Sequence, residues 1–408
     1  MSKRKSYFSS IDLYLAASFF IVMFVGNASI GGIPLNIFLP VLLIIFSSHF
    51  RANISQLVVV IFSAFIFLVY AIKVNVTYSV LYPLWIINFF LGYFYILIFN
   101  SRINKYPNSL LKVQFQICLV LLVVFSLGIT SSTLGDNEQG RAVFIFGPNM
   151  LYRVIGFLSG ICAGYLFYNN RLPEGLLVAV LSLALLTQTG SRGAMLLMPM
   201  LLLLWSHAYY KRFSLWKASA AAFVVIVSLG LIGTQIDFFA HRVLNFSTFL
   251  VDESSTYVDV YSRWKPYVYL LQEPDRFSLI GIEYQSWLDL FYSVGYFYPH
   301  SLLLELLMFY GVFGVVMCIY TIFKVMRIMG VLFSGVFTPA HLLYYSVITS
   351  GIGVLFSGDM GDNGAFLGML IAMSSRVVQQ QVNRRVIPPI NNEVKSRIFS
   401  YTKRRRST

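Results

Sequence analysis

The chain has 408 residues, of which 58% are hydrophobic, 17% aromatic and only 11% charged, with a mean hydropathy of +0.74. A soluble domain carries about 25% charged residues, so this composition excludes an ordinary water-soluble globular protein. The net charge of +14 lies mostly in short connections and at the two ends, which excludes a nucleic-acid-binding stripe and matches the positive-inside pattern of membrane proteins.

Continuous apolar runs of roughly 17 to 25 residues, long enough for a bilayer of about 30 Å, predict twelve transmembrane helices. They lie at 12–28, 33–49, 55–72, 78–99, 111–129, 149–168, 174–189, 192–209, 216–233, 301–323, 339–357 and 363–378. The runs do not alternate as barrel strands do. The expected fold class is therefore all-α: a polytopic integral membrane protein with one transmembrane domain over 1–408. A large outer loop is expected over 234–300 and a basic cytoplasmic tail over 379–408. No cleavable signal peptide is expected, because the first apolar run is too long for an h-region. Cys118, Cys162 and Cys318 fall within apolar runs and read as small packing residues.

Both termini placed in the cytoplasm sort the basic residues well. The outer side then keeps Lys73, Arg141, Arg153, Arg192, Arg242, Arg263, Lys265 and Arg276. Several of these sit at helix ends or at helix depth, where an Arg costs several kcal/mol unless it pairs or reaches water (roughly 3 kcal/mol on insertion scales). Such a cationic cluster calls for an anionic partner, and the diphosphate of a lipid-linked sugar is the best candidate. The outer loop is also rich in Tyr, Trp, Phe and carboxylates, among them Asp237, Asp252, Glu253, Asp259, Glu273, Asp275, Glu283 and Asp289. Aromatics beside acids suit a sugar surface, and equally an interfacial aromatic belt.

Four stretches on the predicted outer face carry candidate chemistry. Gly140-Arg141 leads into Gly147-Pro148-Asn149, a turn and helix start with Asn149 placed to cap. Arg153 follows one turn later, either in a functional role or snorkelling. Thr187-Gln188-Thr189-Gly190-Ser191-Arg192-Gly193-Ala194 joins two spans through a tight small-residue turn. Backbone N–H groups at Ser191 and the guanidinium of Arg192 together make an anion site, against the simpler reading of a turn with a solvated Arg. Tyr261-Ser262-Arg263-Trp264-Lys265-Pro266 puts two cations on the large loop, and Tyr298-Pro299-His300-Ser301 opens a span that carries Glu305. His300 is suited to proton transfer near neutral pH, and Glu305 must pair, neutralise or face a cavity. Asp359 and Asp362 read as a solvated outer turn. His49, His207 and His341 fall singly near helix ends without metal-ligand spacing. No Walker motif or dinucleotide fingerprint is present, so the activated group must arrive on the substrate.

The order Gly-Pro-Asn, Ser-Arg-Gly-Ala, a long outer loop with Arg and Trp, then Tyr-Pro-His-Ser opening a span to Gly311 resembles the O-antigen polymerase and O-antigen ligase superfamily. The resemblance covers roughly Arg141 to Gly314. It implies a bacterial inner-membrane glycosyltransferase with its active site facing the periplasm, and no cofactor or metal. The implied donor is a glycan on undecaprenyl diphosphate. Arg192 and Arg263 would hold the diphosphate, and His300 would assist attack by the acceptor hydroxyl. Beside these three matches, the motif stretches themselves offer Arg141, Asn149, Arg153, Ser191, Lys265, Tyr298 and Glu305 as candidates for substrate binding. Ser301 stands where many relatives have Asn, which removes an amide contact and not the His role. The implied partners are the undecaprenyl-diphosphate-linked oligosaccharide, membrane lipids, a chain-length regulator protein and a flippase, with no nucleic acid. A polymerase extends the chain onto a new lipid-linked repeat; the alternative is a ligase acting on lipopolysaccharide core. A transporter or flippase for an anionic lipid-linked substrate is the reading from another class, although no paired internal repeat is evident.

Arg192→Ala, Arg263→Ala and His300→Ala should each abolish long-chain glycan while leaving membrane insertion intact, as read on glycan gels and membrane blots. Arg192→Lys should also be poor, because a point charge cannot reproduce the guanidinium fork.

Overall fold

The computed structural model describes residues 29–30, 33–34, 89–99, 107–133, 148–189, 192–211, 302–334, 336–357 and 360–373, with Leu13, Ala16, Ile103, Ala220, Phe223 and Gly281. Among these, every element longer than two residues is a helix. They are α1 (Phe89–Phe99), α2 (Pro107–Thr133), α3 (Pro148–Tyr168), α4 (Leu172–Gln188), α5 (Arg192–Tyr210), α6 (Leu302–Ser334), α7 (Pro339–Ser357) and α8 (Met360–Met373). Strands β1 (Ser29–Ile30) and β2 (Ile33–Pro34) form one minimal antiparallel pair, with Ser29 opposite Pro34 and Ile30 opposite Ile33. The spans expected at 33–49 (beyond Pro34) and 55–72, residues 78–88, most of 12–28 and all of 216–233 but Ala220 and Phe223 lie outside the described residues, as does the large loop apart from Gly281.

Among the described residues, three helices are long and apolar enough to cross a membrane, with windows at Asn108–Ile129, Met150–Tyr168 and Tyr310–Gly330. Their surfaces differ in kind. On α2, Val120, Val123, Val124 and Leu127 form one exposed stripe, and on α6 Val312, Val316, Ile319, Phe323 and Met326 form another. Contiguous apolar faces of this size are unstable in water and are what hydrocarbon chains cover. Helix α3 has no such face, for every residue from 151 to 164 is buried. It packs against α2, α4, α5 and α7 and forms the centre of the bundle.

The centre is possible because α3 has no side chain along one stripe. A Cβ at Gly156 would overlap Leu197 of α5. One at Gly160 would meet Ser346 Oγ of α7 at 2.8 Å and two leucines of α5 at 3.4 Å. One at Gly164 would overlap Leu342 of α7. These glycines recur every four residues, the small-xxx-small spacing that brings backbones close where hydrocarbon solvent gives helices no hydrophobic reason to associate.

The connections are built from local hydrogen bonds. Helix α3 ends in a Schellman motif: Asn170 has a positive φ of 60°, its N–H donates to Phe167 O (3.0 Å), and Arg171 N–H donates to Leu166 O (2.9 Å). Pro173 then starts α4. The exposed Arg171–Glu174 ion pair at 2.6 Å adds little. Thr338 and Pro339 open α7 as cap and first helical residue. Thr338 N–H donates to His341 Nδ1 (3.1 Å), with Thr338 Oγ1 at 2.6 Å. The imidazole thus takes the place that Glu holds in a capping box, while the His341 N–H donates to the Thr338 carbonyl at 2.9 Å. Because Nδ1 accepts from a backbone N–H, the ring is neutral with its proton on Nε2.

Two helices differ from expectation in ways that matter. The tenth expected span, 301–323, is part of a 33-residue helix that would measure about 50 Å if straight, but α6 is broken at Gly311 (φ 57°, ψ −130°). Helix α8 begins at Met360, so Asp362 is helical and not part of an outer loop. The side chains of Asp359 and Asp362 lie outside the described residues.

Gly160→Leu should overpack the α3–α5–α7 crossing and cost about 1–3 kcal/mol, read as a lowered Tm in detergent. Gly330 has nothing within 4 Å of an added Cβ, and Gly330→Ala should leave Tm unchanged or raise it by the helix-propensity gain of up to about 1 kcal/mol.

Candidate functional site

Helix α4 terminates through its own hydroxyls. Thr187 Oγ1 donates to Ala184 O and Thr189 Oγ1 to Leu186 O, each at 2.7 Å, so side chains satisfy carbonyls that the helix end leaves open. The chain re-enters a helix at Arg192, only three residues after Thr189. Helices α4 and α5 are therefore antiparallel neighbours, and α3 and α5 run parallel.

The starts of α3 and α5 consequently lie together. A Cβ at Gly193 would overlap the ring and hydroxyl of Tyr152, so the first turn of α5 rests on the first turns of α3. Tyr152 and Ala194 are buried at this contact. Next to Tyr152, Arg153 is only 4% exposed. Its guanidinium is turned into the bundle and away from lipid, the position usual for intramembrane cations with a role. Two helix N-termini add the positive ends of their dipoles to the same region. Arginines and aligned backbone N–H groups are the chemistry that holds phosphate oxygens.

The expected site residues divide as follows. Arg192 is the first residue of α5, as expected for a helix start, although its side chain lies outside the described residues. Helix α3 starts at Pro148, so Asn149 is its second residue and does not occupy the cap position assigned to it. Glu305 lies on the short part of α6 before the break, not more than one turn inside a continuous span; its side chain is outside the described residues. Arg141, Ser191, Arg263, Lys265, Tyr298 and His300 lie outside the described residues.

A second polar cluster was not foreseen. His207 and His341, expected to be isolated, have ring centroids 6.0 Å apart at the opposite end of α5 from Arg192. His207 Nδ1 lies 3.0 Å from the Tyr345 hydroxyl. Phe337 packs on both imidazoles, at 5.0 and 5.7 Å. Lys211, in a left-handed conformation (φ 57°), accepts the Phe337 N–H through its carbonyl at 3.0 Å. These contacts tie the end of α5 to the start of α7. Single histidines at two helix ends gave no sequence signal for this; only the parallel packing of α3 and α5 against α7 brings them together.

No protein-family model matches the chain, and neither does any curated protein or solved structure.

The Tyr152–Gly193 contact should behave as a coupled pair. Gly193→Ala should lower Tm, and adding Tyr152→Ala should cost less than the sum of the two, with a coupling of about 1 kcal/mol in a double-mutant cycle.

Proposed function

We propose that the protein is a polysaccharide polymerase of the bacterial inner membrane. It has twelve spans, both termini in the cytoplasm and its active site at the periplasmic face. It transfers a growing glycan from undecaprenyl diphosphate to the terminal sugar of a new lipid-linked repeat. The acceptor hydroxyl oxygen attacks the anomeric carbon, and the carbon–oxygen bond to the diphosphate breaks. The electron pair leaves on undecaprenyl diphosphate, and the hydroxyl proton passes to the His300 imidazole. A single displacement inverts the anomeric centre.

The observation that supports this reading most is the side-by-side start of α3 and α5, joined at Tyr152 and Gly193. It brings two of the motif stretches of the resemblance to one end of the bundle. The motif order adds to it, as does the composition of the outer loop. Arg192, Arg263 and the helix termini take the role that a metal plays elsewhere and stabilise charge on the departing diphosphate.

One observation favours the transporter class instead. Helix α6 is discontinuous at Gly311, and broken helices are common at transport sites. Transport also calls for cationic groups at several depths. Among the described residues Arg153 is the one buried Arg or Lys, and it sits beside the helix starts.

Lipopolysaccharide from a strain lacking the protein should show core carrying a single repeat, converted to a ladder by the wild-type protein. Bare core with polymer stranded on the lipid carrier would mean a ligase, and an unchanged ladder would remove the transferase reading in favour of transport.

A further inference from the structure

The exposed stripe on α6 ends differently from the others. Val312, Val316, Ile319, Phe323 and Met326 follow one another at helical spacing and all stand open. Phe323 lies about 17 Å along the axis from Val312, close to the depth of one leaflet in a hydrocarbon core about 30 Å thick. Arg327, one turn past Phe323, is exposed on the same face. Lys324 borders that face, half-buried, with Nζ 4.9 Å from the centre of the exposed Tyr320 ring.

Lys324 and Arg327 are the two charged residues of the apolar window Tyr310–Gly330. They lie about 9 Å and about 5 Å short of its end, a depth from which a long side chain reaches polar surroundings by extending toward the headgroups. Three residues apart on one helix, they are neighbours at about 5–6 Å between Cβ atoms, and their like charges repel. Neither has a carboxylate partner among the described residues.

The other exposed stripes give a comparison. The stripe on α2 that starts at Val120 has one exposed cation below it, Lys112, two turns away with Gln116 between them. Helix α4 exposes Leu176, Leu177, Val180 and Leu181, and the Arg171 at its start is already paired with Glu174 at 2.6 Å. Among the described residues, only α6 joins an apolar stripe to two uncompensated cations and an aromatic ring.

We propose that α6 carries a binding site for one anionic phospholipid. One acyl chain lies along the stripe from Phe323 to Val312, and Arg327 and Lys324 hold the phosphodiester. The guanidinium offers a fork to two phosphate oxygens and the ammonium adds a second charge. A phosphate between the two cations also removes their repulsion. A zwitterionic lipid brings its own cation to the same place, so the site selects net charge and not hydrocarbon. Basic groups beside transmembrane helices hold anionic headgroups by this chemistry. The inference is independent of the transferase reading.

The test uses the full chain with Cys118, Cys162 and Cys318 replaced by Ala, reconstituted in phosphatidylcholine vesicles. A fluorophore is attached at Ile319→Cys on α6 or, for comparison, at Val123→Cys on α2. Quenching is measured with phosphatidylglycerol and with phosphatidylcholine that carry the same nitroxide-labelled acyl chain, so only the headgroup differs. Phosphatidylglycerol should be preferred about fivefold at the α6 label and less than about twofold at the α2 label. Lys324→Gln with Arg327→Gln should bring the α6 preference down to the α2 value and leave quenching by phosphatidylcholine unchanged, which a misfolded helix would not do. The comparison of the two labels keeps both cations, and it decides the matter even where the double variant fails to insert. Equal quenching by the two lipids at α6 means ordinary hydrocarbon cover and overturns the site. So does an equal preference at both labels, which reduces it to the attraction of the whole protein surface. A preference that survives the double substitution overturns the role of Lys324 and Arg327. No quenching by either lipid at α6, with normal quenching at α2, means that a protein face covers the stripe and overturns the lipid as its occupant.

Discussion

The arrangement depends on the absence of side chains at Gly156, Gly160 and Gly164. Lipid is as apolar as leucine, so helices in a membrane gain little from burying apolar surface against each other. They associate where their shapes allow close contact. The stripe on α3 lets Leu197, Leu201 and Leu204 of α5 and Leu342 and Ser346 of α7 lie directly on its backbone. This contact fixes α3 as the buried centre and makes α5 its parallel neighbour. The exposed stripes of α2 and α6 then face outwards by default.

Parallel packing has an electrostatic result. Helices α3 and α5 begin at the same end, so their positive dipole ends add where antiparallel neighbours would cancel. Arg153, buried beside Tyr152, and Arg192, the first residue of α5, strengthen that sign. In a region of low dielectric each such group interacts more strongly than in water. Under the transferase reading, this end meets the diphosphate of the donor, whose charge grows as the glycosidic bond breaks. The opposite end, with His207, His341, Phe337 and Tyr345, locks α5 to α7.

Much of the helical layout was legible because apolar runs end in residues with clear backbone chemistry. The span expected at 339–357 matches α7, opened by Thr338 and Pro339, and 192–209 matches α5 to within one residue. The spans expected at 149–168 and 174–189 match α3 and α4 to within two residues. Hydropathy says nothing about partners, however. Gly156, Gly160 and Gly164 were visible as letters, but only the packed structure shows which leucines fill the space above them. His207 and His341 looked isolated because they are far apart in sequence. The break at Gly311 was hidden because apolar residues continue on both sides of it, and a glycine within an apolar helix is ordinary. Of the candidate site, the starts of α3 and α5 were found by their turn residues, and the contact between them was not.

The most direct test is reconstitution of the purified protein in liposomes that contain only undecaprenyl-diphosphate-linked repeat units, with EDTA present. The account predicts a ladder of lipid-linked polymer, with one undecaprenyl diphosphate released for each repeat added. Unextended repeats that are merely moved across the bilayer, or a ladder that appears only when a divalent metal is restored, would contradict it.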